Sequence, residues 1–509
     1  MYDVIVIGAG SSGSVIASRV SEDPNRTVLL VEAGPDYANP ADTPFDLINS
    51  HNNSYTHHDW GFDFEPTRGR SVAFPRGQVV GGSSAVNTTI ALRGIPEDFE
   101  EWTQLGCPEW HWGNVLPAYN RLERDLDYGQ AAYHGDAGPI TIRRYPDEEL
   151  EPQQLAFLET AGRLGYPACA DANEPSGWGA GPHPMNKLGR LRVSCALGYI
   201  APARARPNLT ILAGTRVLRL LFTGRRATGI EVEHIDGRIA TIAAGLVVVS
   251  AGAIMSPHLL MHSGIGPRDQ LEAFDIECVG DEPGVGQNLS DHPALAVVCE
   301  VKDASLIDFD RPIIQTILRY TAPGSDKRND LQIEQISFAG RPNGPPLFSI
   351  AAVLEYQYGR GELRLRSGDP RAAPMIDNRF CEDERDTHRL VACMQDTLNF
   401  ARTGELADMI KAISFPDPAR GDDDESLAAL CRKFAGSGYH PSGTVKMGDI
   451  QDSSAVVDQF GRAHRFENLV VADASIMPFV PRANTNLTCI MIGEMIGEWI
   501  RTRPNDYRW

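Results

Sequence analysis

The chain has 509 residues, 42% of them hydrophobic and 22% charged, with a formal net charge of −20. That length and mixture predict a globular protein of two or more domains. The acidic balance, with no basic patch to interrupt it, excludes nucleic acid and anionic membrane surfaces as expected partners, and no stretch approaches the ~20 apolar residues of a membrane span.

The N-terminal segment YDVIVIGAGSSGSVIASRVSEDPNRTVLLVEAG has a definite order. An apolar run over residues 2–7 predicts a strand. Gly8, Gly10 and Gly13 then form GxGxxG, residues 14–20 have helical character, and a second apolar run over 27–31 ends at Glu32. A lone GxGxxG is weak, but between a strand and a helix, with an acidic residue closing the next strand, it is a dinucleotide fingerprint. Gly8 permits the tight turn, Gly10 lets a pyrophosphate approach, Gly13 lets helix and strand pack, and Glu32 accepts from the ribose. The motif does not distinguish a nicotinamide from a flavin dinucleotide. The start reads as a strand rather than a signal peptide.

Three more glycine-rich blocks follow. PRGQVVGGSSAVNTTIALRG, residues 75–94, offers backbone that can lie flat against a ligand. In VVSAGAIMSPHLLMHSGIGP, residues 248–267, a buried strand ends at Ala251-Gly252, a helix is expected to start at Ser256-Pro257, and Gly264 and Gly266 stop it. In LVVADASIMPFVPRANTNLTCIMIGEMIGEWI, residues 469–500, a strand ends at Asp473 and an apolar helix closes the chain. Before this last block stands GYHPSGTVKMG, residues 438–448, with one histidine on a tight turn. The nine cysteines are scattered with no CxxC pair. That pattern predicts a reducing, cytoplasmic setting without disulfides, and neither a zinc site nor any other metal is expected; HExxH and GxSxG are both absent.

With these blocks in this order the chain resembles the glucose–methanol–choline family of flavin oxidoreductases. ERDLDYG, HGDAGPI and PRANTNL make it most similar to the bacterial hydroxymethylfurfural and aryl-alcohol oxidases within it. The resemblance implies FAD, held at the first motif by Gly8, Gly10, Ser11, Ser12, Gly13, Glu32 and Ala33. It implies Gly82, Asn87, Thr88, Thr89 and Ile90 along the ring and its neighbouring chain, and the Val217 backbone at the adenine. Asp473, Ala474 and Thr485 follow at the ribityl–phosphate end, and Tyr439 as a cofactor contact or a packing ring. Some members attach flavin through a histidine just before the asparagine of the second block. That position is Val86 here, so the flavin is expected to be noncovalent.

The resemblance also makes His440 the catalytic base and Asn484 its partner. A neutral imidazole suits the task, because an alcohol proton does not leave unaided. The expected reaction is oxidation of a primary alcohol (aromatic, furanic or allylic), with a small-molecule alcohol and dioxygen or another electron acceptor as partners. A lyase on the same scaffold, of hydroxynitrile or photodecarboxylase type, is the alternative, and a flavin-binding protein without turnover is a third reading.

The expected fold class is an α/β FAD-binding Rossmann-like domain combined with an α+β substrate domain built on an antiparallel sheet. Residues 1–145, 190–292 and 437–509 are assigned to the first, and 146–189 and 293–436 to the second. In the second, SIAAVLEYQYGRGELRLRS supplies a roof strand over residues 349–355. Either Ser349, Ala351 and Val353 or Ile350, Ala352 and Leu354 face the ligand, and both sets suggest an uncharged alcohol. Residues 36–67 show no period and are expected to form a loop over the cofactor, with Trp60 and Phe62 read as packing residues ahead of a gate.

Overall fold

YDVIVI forms the strand Tyr2–Ile7, buried along its last four residues. It pairs in parallel with Val28–Val31 on one side and Ile239–Val249 on the other. Leu209–Leu212 and Leu469–Val471 extend the sheet at either side, also in parallel. The first half of Ile239–Val249 pairs antiparallel with Arg226–His234, which turns back onto Thr215–Thr223. A parallel sheet must be covered on its faces. The helices Ser11–Val20 and Thr485–Thr502 pack together as part of that cover. Gly493 makes the close approach possible, since a Cβ there would stand 2.8 Å from the Ser12 carbonyl oxygen. The computed structural model describes residues 1–507, and among them no helix is long and apolar enough to cross a membrane.

A second sheet is antiparallel throughout its main path: Ile410–Phe415, Pro293–Val301, Leu347–Leu354, Leu331–Ala339, Ile314–Tyr320, then Gly179–Pro182. The helix Glu384–Ala401 packs against Leu347–Leu354. This is the expected fold class, a Rossmann-like α/β unit joined to an α+β unit on an antiparallel sheet.

Two expectations need correction. The helix placed at Ser256-Pro257 begins earlier, as Gly252–His262, with Pro257 inside it. Proline there cannot donate to the Ala253 carbonyl one turn back. The Thr444 hydroxyl donates to that oxygen instead, at 2.6 Å, which relieves the break. Residues 36–67 are not wholly loop: they include the short helix Phe45–Ile48 and the strand Phe62–Thr67, the latter paired with Arg70–Phe74.

The HGDAGPI block builds a buried ionic cluster. His134 is held between Glu123 (2.7 Å) and Asp171 (2.8 Å), while Arg144 bonds Asp125 (2.7 Å) and Asp171 (2.6 Å) and Arg93 meets Glu123. Glu123, Asp125 and His134 bring metal-ligand atoms within 4.8 Å of one another. Two guanidinium groups already supply positive charge beside these carboxylates, although Glu123 Oε2 has no hydrogen-bond partner.

Candidate active site

A cavity of ≈ 520 Å³ lies between the two sheets. At its inner end stands the fingerprint. Gly8 has φ 96°, and a Cβ on Gly13 would lie 1.9 Å from the Gly8 carbonyl oxygen, so strand and helix can meet only through glycine here. Gly82, at φ 53°, presses against Gly10, where a Cβ would approach the Gly10 Cα to 2.6 Å. No side chain caps the helix Ser11–Val20, so its first N–H groups remain available at the cavity. Such an end attracts anions.

Glu32 faces the same space. Its carboxylate accepts from the backbone N–H of Ala9 and Gly34, both at 2.9 Å, and burial raises its pKa to about 7 against those bonds. Gly10, Ser11, Ser12, Ala33, Gly82, Asn87, Thr88, Ile90, Val217, Asp473, Ala474 and Thr485 also line the cavity. Gly13 does not; it acts under the turn. Thr89 does not either: it is fully buried behind the wall at φ 64°, because its neighbours on both sides turn toward the cavity. Val86 lines the wall, 4% exposed.

At the middle of the cavity is the histidine turn. Tyr439 sits at φ 67°, an uncommon and costly conformation for a bulky residue. The surroundings hold each backbone N–H of residues 438–440 and the Tyr439 carbonyl. Gly438 N–H donates to the His292 carbonyl (2.7 Å), Tyr439 N–H to the Ser437 hydroxyl (2.6 Å), and His440 N–H to the Asp291 carboxyl (2.8 Å). Arg76 donates to the Tyr439 carbonyl at 2.9 Å. This framework pushes the imidazole of His440 into the cavity.

Asn484 Nδ2 stands 3.1 Å from His440 Nε2, and His440 Nδ1 is 2.9 Å from His292 Nδ1. With the amide donating to Nε2, that nitrogen carries the lone pair and Nδ1 carries the hydrogen. Burial, then His292, then Arg76 push the His440 pKa well below the ordinary histidine value, so the ring is neutral. Asn484 is the N-cap of the helix Thr485–Thr502, and its Oδ1 has no partner; nor has Asn486 Nδ2.

At the outer end the antiparallel sheet forms the roof. Ala351 and Val353 line the cavity, which resolves the register in favour of the set containing them. Opposite them on the neighbouring strand are Glu334 and Gln332, which also line it. The roof is therefore not purely aliphatic, as residues 349–355 alone had suggested. Trp60 and Phe62 are stacked, 5.8 Å apart, and both line the wall. They are packed residues that also bound the cavity.

Sequence reasoning missed His292, Arg76, Gln332 and Glu334. Arg76 lies inside the second glycine-rich block and could have been found there. The other three sit on or beside strands of the far sheet, where no local motif marks them.

Uncapped helix ends, an acidic residue at the strand end, glycine backbone in close approach and a neutral histidine facing the same space fit a bound flavin dinucleotide. The fold and site define an FAD-dependent oxidoreductase. A family model described as GMC oxidoreductase matches residues 2–294 and its C-terminal counterpart residues 357–493, and the chain belongs to that family. It is 33% identical over 541 residues to the 5-(hydroxymethyl)furfural oxidase of Methylovorus sp. (strain MP688), covering 99% of each chain. It is 33% identical over 536 residues to oxygen-dependent choline dehydrogenase 1 of Chromohalobacter salexigens, covering 99% of this chain and 95% of that one. Among solved structures, pyridoxine 4-oxidase from Mesorbium loti superimposes with a TM-score of 0.90 at 28% identity, covering 98% of both chains.

Proposed function

We propose that this protein oxidises a primary alcohol, with His440 taking the hydroxyl proton and Asn484 orienting the hydroxyl oxygen. The observation that carries this reading is the pair itself: a neutral imidazole whose Nε2 lone pair lies 3.1 Å from an amide, in the cavity between cradle and roof. Bound FAD supplies the hydride acceptor that side chains cannot. The Val86 side chain offers no nucleophile, so the cofactor is held without a covalent bond at that position.

The roof narrows the substrate. Ala294, Ile336, Ala351 and Val353 give it apolar walls suited to a furanic, aromatic or allylic skeleton. Glu334 accepts from Gln332 at 2.7 Å and faces the buried His183 Nε2 at 3.4 Å, while Gln332 Oε1 has no partner. A buried acceptor needs a donor. The far end of the substrate thus carries a hydroxyl or N–H group.

Anaerobic mixing with a panel of alcohols tests this. A primary alcohol on a flat apolar skeleton, bearing a second donor, is expected to bleach the flavin in the dark faster than the same skeleton without it. No bleaching by any alcohol would overturn the reading. Rapid return of colour on aeration identifies dioxygen as acceptor, and slow return another acceptor.

A further inference from the structure

Behind the base lies a pair of groups that proton abstraction at Nε2 leaves unused. His292 is fully buried, and Glu355 is 1% exposed. The His292 Nδ1 is 2.9 Å from His440 Nδ1 and 3.6 Å from Glu355 Oε2. Neither oxygen of the Glu355 carboxyl has a hydrogen-bond partner, and neither has His292 Nε2. A carboxyl buried without a bond is expensive unless a charge meets it at some stage.

Three positions bring this about. Glu355 directly follows the roof strand Leu347–Leu354, two residues beyond the cavity-lining Val353. His292 directly precedes the strand Pro293–Val301, which pairs with that roof strand. The His440 turn is anchored to the same spot, since Gly438 bonds the His292 carbonyl and His440 bonds Asp291. A change of position in any one would reach the base.

We propose that His292 and Glu355 are positioning residues for His440: His292 fixes the tautomer that presents the Nε2 lone pair, and the Glu355 carboxylate is the counter-charge when the two histidines hold the alcohol's proton. This rests on the alcohol-oxidation reading. The step balances simply. The alcohol O–H bond breaks and an N–H bond forms at His440 Nε2. The hydrogen between the two Nδ1 atoms is then shared by a singly protonated histidine pair. The electron pair of the cleaved C–H bond leaves with the hydride and does not pass through these groups. Glu355 gains no proton; it gains an opposite charge at 3.6 Å.

The charged surroundings set when Glu355 can act. Burial raises its pKa to about 8; Arg319 opposes this, while Glu334, Asp98 and Asp291 add to it. Arg319 bonds the carbonyls of Ala172 (2.8 Å) and Arg482 (2.7 Å), not Glu355. His440 faces His292 and Arg76, and its own titration lies well below the ordinary range. His292, pushed to about 3 by burial, is likewise neutral before reaction. A rate that rises with pH through about 8, and that loses this rise in a Glu355 variant, would therefore report Glu355 rather than either histidine or the cavity's Glu32, raised to about 7.

The test is the pH dependence of anaerobic flavin reduction in the intact holoenzyme, using the alcohol that reduces it fastest. Wild type is expected to gain rate through about pH 8. Glu355→Gln is expected to lose that rise and to be at least about tenfold slower at high pH, part of the roughly 10²- to 10⁴-fold worth of general-base help. His292→Asn should flatten the profile in the same way, and the double variant should be no slower than the slower single one. If Glu355→Gln does not retain flavin, Glu355→Asp carries the test through a displaced midpoint. Infrared titration gives a reading apart from turnover: wild-type enzyme should show a protonated buried carboxyl band that vanishes over the pH range in which the rate rises. Superimposable profiles for wild type and the Glu355 variant, or no titrating carboxyl band in that range, would overturn the proposal. Failure of every alcohol to reduce the flavin would instead overturn the alcohol reading.

Discussion

In the proposed oxidation His440 acts through one lone pair. Removing the imidazole leaves the cavity and cradle intact, because the turn is held by backbone bonds to Ser437, Asp291 and His292 rather than by the ring. His440→Ala is therefore expected to keep a full complement of flavin, recovered in the supernatant after acid precipitation. Its alcohol-dependent reduction should fall by about 10²- to 10⁴-fold, the usual worth of a general base. Stopped-flow absorbance measures both. Near-normal reduction in that variant would remove His440 from the chemistry. The family resemblance of the ordered blocks made this residue a candidate: a histidine in GYHPSGTVKMG, followed by ANTNLT, far from the fingerprint. Its neighbour His292 was not legible, since "SDHPA" precedes an ordinary strand and nothing in its spacing points across the molecule to residue 440.

Among the elements, the short pair Glu123–Asp125 with Ile140–Ile142 carries a charge cluster that is testable by pH. Burial alone would lower the His134 pKa, but bonds to Asp171 and Glu123 raise it overall. Burial works against Asp171 too, and His134 and Arg144 together bring it down to about 2. The signs follow. The raised histidine stabilises the fold fully below its unfolded value of ~6.5, and that part is lost as pH rises through the folded pKa. The depressed aspartate stabilises it above ~3.9, and that part is lost as pH falls toward 2. His134→Gln is expected to cost about 3–5 kcal/mol at neutral pH, as breaking a buried pair does. It should also abolish the alkaline decline of the melting temperature. A variant curve parallel to wild type across pH 6–9 would contradict this. The elements flanking the fingerprint were legible because strand, turn and helix each carry their own pattern. The roof strand was legible as a strand but not in register. Ile350, Ala352 and Leu354 are as fully buried as the cavity face, under the helix Glu384–Ala401, so no alternation of wet and dry residues could reveal which side met the ligand.

At the scale of the whole molecule, the proposed reaction depends on holding the flavin cradle and the roof at a fixed separation, and Arg482 is one place where they are joined. Its guanidinium bonds Asp98 Oδ1 at 2.7 Å, with the two side chains 1% and 0% exposed. Asp98 Oδ2 also accepts from Ile95 and from the Arg482 backbone, closing the first turn of the helix Pro96–Gln104. Arg482's own carbonyl accepts from Arg319 of the roof at 2.7 Å. Two residues later stands Asn484 beside the base. Arg482→Met should strand the Asp98 charge and destabilise the fold by about 3–5 kcal/mol. It should also slow flavin reduction, because Asn484 loses its support while His440 is untouched. The penalty in stability belongs to the stranded charge, so adding Asp98→Asn to Arg482→Met should restore a large part of it. The slowed reduction belongs to position, and the second substitution should leave it slow. Denaturant unfolding and stopped-flow reduction of the two variants separate these effects. Recovery of both together would mean that the pair acts only through stability. Recovery of stability alone would show that the join between cradle and roof sets the geometry of the base and its amide partner.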